Sequence, residues 1–160
     1  MSMMYHLVQI DEDALETLLQ QPKQIRSIID KGGPSTTTLD KAWQGLHFLL
    51  TGTAWEGNLP SAYLLEGGAP VGKVNVGFGP ARAMRPSDVR AFDNHLLMVS
   101  PETLAERLDL AKMVALDIYP FHAQDSHEDT LRYLQSYFED LRKCVHDAAA
   151  NGRGLITYIA

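Results

Sequence analysis

Asp40, Trp43 and His47 bring a carboxylate, an indole and an imidazole into the single apolar stretch Leu39 to Gly52. A carboxylate two helical turns before an imidazole can orient it for proton transfer, and the indole between them offers a ligand an apolar floor. His47 and Asp40 are therefore the candidate catalytic residues. The same pattern has a structural reading, in which Asp40 caps the helix or pairs with Lys41 or an arginine and His47 is a hydrogen-bonded boundary residue. Arg82 follows the Gly79-Pro80 turn and stands between Ala81 and Ala83, neighbours too small to shield it. Its planar fork suits a carboxylate or a phosphate; equally, it can clamp Asp40 or Asp117. Tyr119 and His122 flank Pro120-Phe121 just ahead of the longest helical pattern, where a helix N-terminus can meet an anion. Polar aromatics at such corners also tie loops to cores. With Trp43, these three make up the candidate ligand-binding residues.

Other chemistries lack their residues. His122, His127, Glu128 and Asp129 invite a metal reading, but the two histidines do not share a helix, and the His-Glu-x-x-His pattern of zinc hydrolases is missing. The acidic pair is better explained as helix capping, so no metal site is expected, and no cofactor. Gly77-Phe78-Gly79-Pro80 has no following Gly-Lys-Ser/Thr and is not a phosphate loop. No Gly-x-Ser-x-Gly nucleophile elbow occurs. Cys144, with no helix N-terminus and no base but Lys143 and His146 beside it in sequence to activate the thiol, reads as a packing cysteine within a helix.

The elements that must position these groups follow from periodicity. Leu39, Ala42, Trp43, Leu46, Leu49 and Leu50 recur at helical steps, with Asp40, Gln44 and His47 along one flank and Gly52 as C-cap. Upstream, Tyr5 to Ile10 is a strand. Asp11 caps a helix carrying Ala14, Leu15, Leu18 and Leu19, and Pro22 opens a second, buried through Ile25, Ile28 and Ile29 and ended by Gly32-Gly33-Pro34. Ser35 to Thr38 reads as a polar lead into the central helix. Thr53 to Gly79, rich in glycine and proline, reads as turns, with a helical turn at Ala62 to Leu65 and either a strand or a bare loop at Val74 to Val76.

Downstream, Ala81 to Met84 is a strand. Pro86 starts a helix through Leu96, Ser100-Pro101 starts another, and a short one covers Leu110 to Leu116 until Ile118-Tyr119-Pro120 breaks it. Ser126 to Asp129 is a capping-box variant opening the longest helix, which ends at Asn151-Gly152. Leu155 to Ile159 is the closing strand.

This pattern predicts an α+β fold: a small, mostly antiparallel sheet of N-terminal, central and C-terminal strands, packed by about six helices. At 160 residues the chain is read as a single domain, residues 1–160. A formal net charge of -6 argues against nucleic acid or an anionic membrane as partner. No run approaches the roughly 20 apolar residues of a membrane span. The N-terminus has no signal-peptide pattern, and the single cysteine suits a reducing cytoplasm.

Three motifs carry a resemblance: Leu39-Asp40-Lys41-Ala42-Trp43-x-x-Leu46-His47-Phe48-x-Leu50-Thr51-Gly52, then Gly79-Pro80-Ala81-Arg82, then Asp117-Ile118-Tyr119-Pro120. In that order they resemble the YfbM-like family of small bacterial proteins, a domain of unknown function. The resemblance covers essentially the whole chain and implies an α+β fold in a bacterial cytoplasm, with no established catalytic residues. The functional expectation is a non-enzymatic binding module for a protein partner or a small anionic ligand. The alternative is a small hydrolase or transferase with His47 as base and Arg82 as anion clamp, which requires Asp40, His47 and Arg82 to converge on one open pocket.

Overall fold

A computed structural model describes residues 2–33 and 35–160; Met1 and Pro34, the latter assigned above to a helix stop, lie outside the described residues. The two terminal strands make the centre of the sheet. β1 (Tyr5–Ile10) pairs antiparallel along its whole length with β5 (Gly154–Ile159), from Tyr5 opposite Ile159 to Ile10 opposite Gly154. β2 (Thr36–Thr38) adds to the far side of β1. On the other side come β4 (Pro80–Met84) and then β3 (Ala69–Asn75), giving the order β2-β1-β5-β4-β3, all neighbours antiparallel. The α+β architecture is as the sequence predicts.

Alternation along the strands splits the core in two. Tyr5, Leu7, Met84 and Leu155 face one way, into a large cluster with Trp43, Leu46, Phe92, Leu134 and Phe138. Val8, Ile10, Ala83 and Ile156 face the other way, against Leu15, Leu18 and Ile25. Helices therefore cover both faces. α1 (Glu12–Gln20) and α2 (Ile25–Lys31), joined by a 3-10 turn at Pro22–Gln24, cover the second. The first carries α3 (Trp43–Thr51), α4 (Tyr63–Glu66), α5 (Pro86–Leu97), α6 (Pro101–Arg107), α7 (Leu110–Ala115) and α8 (His127–Ala150). Ser126 caps α8 as expected, its Oγ accepting from the Asp129 N–H at 3.2 Å. Asp11 precedes α1 but makes no capping bond; its carboxylate meets Arg153 at 3.4 Å.

The segment before the central helix departs from the sequence reading. Residues 36–38 form a strand, because a run of β-branched threonines suits a pleated edge and β1 offers it a ladder. The pairing persists past β2: Leu39 N–H donates to Tyr5 O, and Tyr5 N–H donates to Asp40 O. Asp40 itself adopts a positive φ of 49°. The helix can therefore start only at Trp43, so Asp40 stands outside it rather than two turns before His47 on the same flank. Its C-terminus matches expectation, with Gly52 left-handed at φ 79° and its N–H bonded to Phe48 O. Residues 53–79 are more ordered than their glycine content suggests. The turn at Ala62 to Leu65 is α4, and Val74-Asn75 ends a seven-residue strand whose pairing shifts register between Pro70 and Asn75.

Candidate functional site

α3 is apolar almost all round, and its polar groups all serve the loop that follows it. His47 is completely buried. Its Nε2–H donates to the Glu56 carbonyl at 2.9 Å, which fixes the tautomer and leaves Nδ1 a bare acceptor with no partner among the described residues. Burial holds its pKa below the ordinary imidazole value, outweighing the carbonyl bond and the nearby Glu66 and Glu56. One turn earlier, Gln44 donates to Ala54 O at 3.2 Å and accepts the Tyr119 N–H at 2.8 Å. One turn later, Thr51 Oγ1 donates back to His47 O and accepts the Thr53 N–H, while Thr53 Oγ1 joins His47 on the Glu56 carbonyl. Gln44, His47 and Thr51 thus hold residues 53–56 at both ends.

That loop presents Trp55. Trp55 is 54 % exposed, its ring centred 5.9 Å from the buried ring of Trp43, whose Nε1–H is bonded to Met3 O. Trp55 forms one wall of a cavity of about 230 Å³, with Phe78, itself 43 % exposed, Leu65 of α4, Pro80 of β4 and Tyr5, Thr157 and Ile159 on the sheet. Arg82 lies across from Thr157 in the β4–β5 register and also lines this cavity. Its Nε donates to Gly67 O at 2.8 Å and its Nη2 to Gly68 O at 2.7 Å and Glu66 O at 3.4 Å. These carbonyls belong to the last residue of α4 and the two that follow it, so the guanidinium holds the end of that short helix onto the sheet. No carboxylate pairs with Arg82 among the described residues. Tyr5 adds no charge: its hydroxyl donates to Leu64 O at 2.7 Å, and burial raises its pKa well above the ordinary phenol value.

The residues singled out from sequence do not converge. Asp40 accepts from the Tyr133 hydroxyl at 2.9 Å, which in turn accepts the Lys41 N–H at 3.2 Å. It forms no hydrogen bond with His47, so the proposed orienting pair does not exist. His47 has no solvent face from which to move a substrate proton. Trp43 is buried behind Trp55 and is not part of the lining of this cavity; the exposed indole is the next one along the chain. Arg82 clamps neither Asp40 nor Asp117. Tyr119 packs its ring 6.2 Å from Trp43, and its hydroxyl accepts the Met3 N–H. His122 is exposed, its N–H bonded to Asp125, and is no part of the cavity.

A carboxylate–imidazole pair does form elsewhere, between helices that are far apart in sequence. Asp93 of α5, 9 % exposed, lies 3.1 Å from Nδ1 of His146 on α8. Leu96, Leu97, Lys143 and Arg142 line the cleft beside it, of about 480 Å³, with Arg142 paired to Glu139. Nothing in the sequence marks this pair, because the two residues are 53 positions apart on helices whose facing is a tertiary property. Trp55 and Phe78 carry a weak sequence signal: two large aromatics in a glycine- and proline-rich stretch with little core to fill. Among the described residues no group of three or more His, Cys, Asp or Glu is placed to hold a metal ion, and no helix is long and apolar enough to cross a membrane.

The whole architecture has a solved counterpart. The crystal structure of YfbM from Escherichia coli, a protein of unknown function, superposes with a TM-score of 0.75 at 21 % identity, covering 99 % of this chain and 100 % of that one. At that identity the likeness speaks for the fold. No protein of curated function matches the chain in sequence. The family model described as a domain of unknown function, DUF1877, matches residues 1–158, and the chain belongs to that family.

Proposed function

We propose that this protein is a non-enzymatic binding module, and that its ligand is a small organic anion held between Arg82 and the aromatic walls of Trp55 and Phe78. One observation carries the reading. Arg82 lines a mostly apolar cavity with its charge met by backbone carbonyls and by no carboxylate. The Nε and Nη2 bonds pre-organise the guanidinium, leaving Nη1 without a protein partner among the described residues to receive an anion. At about 230 Å³ the cavity is smaller than the roughly 300–1,000 Å³ of drug-sized sites, which favours a small ligand. The hydrolase or transferase alternative has lost the convergence it required, since Asp40 and His47 are engaged elsewhere. A bacterial cytoplasm, with its supply of small organic acids, is the compartment this reading supposes.

Titration of the intact protein with small monocarboxylates, followed by tryptophan fluorescence and calorimetry, tests the reading. It expects saturable binding of 3-phenylpropionate that weakens with salt and is lost in Arg82→Met, with Trp55→Phe abolishing the fluorescence change. Absence of saturable binding at millimolar carboxylate, or undiminished binding by a folded Arg82 variant, would refute it.

A further inference from the structure

We infer that the ligand is an apolar α-amino acid bound as its zwitterion, an inference that rests on the binding reading above and narrows it. Two opposite charges line the one small cavity without being spent on each other. Arg82 supplies the positive group. Glu66, the last residue of α4, also lines the cavity and forms no ion pair among the described residues. The hydrogen bond between them runs from Arg82 Nη2 to the Glu66 backbone carbonyl at 3.4 Å, so the carboxylate of Glu66 is not spent on Arg82.

A ligand with a carboxylate alone would satisfy Arg82 but would bring a second negative charge near Glu66, and like charges in a partly desolvated cavity repel. An ammonium on the neighbouring carbon removes that repulsion and turns Glu66 into a partner. The rest of the lining (Trp55, Phe78, Leu65, Pro80 and Ile159) is apolar and asks for an aromatic or branched aliphatic side chain. Carboxylate, adjacent ammonium and apolar side chain together define an apolar α-amino acid. The size agrees, since about 230 Å³ suits an amino acid better than a nucleotide.

The test compares three probes on the intact protein by calorimetry: L-phenylalanine, 3-phenylpropionate, which lacks the ammonium, and L-phenylalaninamide, which lacks the carboxylate. L-phenylalanine is expected to bind, with each analogue weaker by about tenfold or more, the size of one lost charge-assisted contact. Glu66 is exposed, so Glu66→Gln is expected to fold normally, bind L-phenylalanine about tenfold more weakly and no longer discriminate against 3-phenylpropionate. Binding of 3-phenylpropionate as tight as that of L-phenylalanine, or unchanged in Glu66→Gln, overturns the amino-acid inference and leaves the anion reading standing. Failure of all three probes to bind a protein whose melting temperature is normal overturns both. Arg82→Lys, which keeps the charge but not the fork, is the second variant should Arg82→Met release α4 and unfold; it is expected to weaken all carboxylate probes alike.

Discussion

His47→Gln separates the two jobs of this imidazole, holding a carbonyl and staying neutral. Glutamine places its amide nitrogen close to the position of Nε2, so the bond to the Glu56 carbonyl is retained, but the amide brings a second N–H that this core offers no acceptor, at every pH. At pH 7.5 the variant is therefore expected to be less stable by about 1–3 kcal/mol, an offset from the amide that does not itself change with pH. Acid should give the two proteins different slopes. Protonating His47 puts a second N–H into a core that offers it no acceptor, so the folded protein resists the proton that the unfolded chain accepts near the ordinary value of about 6.5. With the folded pKa lowered, stability is complete above that unfolded value and falls as the pH drops from it toward the folded pKa.

Each unit of depression corresponds to about 1.4 kcal/mol, or about 3–6 °C of melting temperature at this chain length. The assay is thermal unfolding of both proteins from pH 7.5 to pH 5. His6 and His95, whose pKa values burial also lowers, contribute acid sensitivity to both, so His47 is read from the difference between the slopes. Parallel slopes would refute the reasoning, as would an imidazole spectrum with the proton on Nδ1 at neutral pH.

Three further outcomes follow from the packing. Gly45→Ala should lower stability by about 1–3 kcal/mol, because a methyl there would stand 2.8 Å from both Leu134 of α8 and the Phe121 ring; a variant melting like the parent would contradict that closeness. Tyr133→Phe should cost about 1–2 kcal/mol in chemical denaturation, since Asp40 and the Lys41 N–H both lose the same hydroxyl, and a double variant with Asp40→Asn should be clearly non-additive. Cys144 is buried, and burial raises its pKa, so the native thiol should react with a disulfide reagent only on the time scale of unfolding; rapid native labelling would place it at the surface.

What the sequence made legible was whatever is written in local periodicity. The terminal strands, the capped start of α8 and the glycine stop of α3 are each signalled by neighbours in the chain. The start of α3 was not, because Leu39 and Ala42 continue the helical stripe while residues 36–40 are held by β1, and ladder partners leave no mark on the strand that receives them. The same limit governed the site. Arg82 was legible from its turn and its small neighbours. Trp55 and Phe78 became meaningful only once the sheet brought β4, β5 and the loop of residues 53–56 around one cavity. Asp40 and His47 looked like a catalytic pair because helical spacing was assumed for both; a positive φ at Asp40 dissolved it.

On the proposed binding reading, the polar stripe of α3 would link stability to ligand affinity. Gln44, His47 and Thr51 grip the loop that carries Trp55. Protonation would keep the Nε2–H bond to Glu56 but bury an Nδ1–H with no acceptor, so the proton is expected to be taken up by a form in which this loop and its aromatic wall have parted from α3. A ligand that needs this wall binds the unprotonated form preferentially, and by reciprocity the bound ligand must depress the imidazole pKa further. Affinity for a carboxylate ligand should therefore weaken in acid, once the pH enters the range where the parent protein starts to lose stability. Charge on the ligand cannot account for such a loss, because a small carboxylate stays ionised well below pH 6. His47→Gln, which keeps the wall without the titration, should bind with nearly constant affinity over the same range. If both proteins weaken together, the loop does not depend on the state of His47, and the burial of that imidazole serves the core alone.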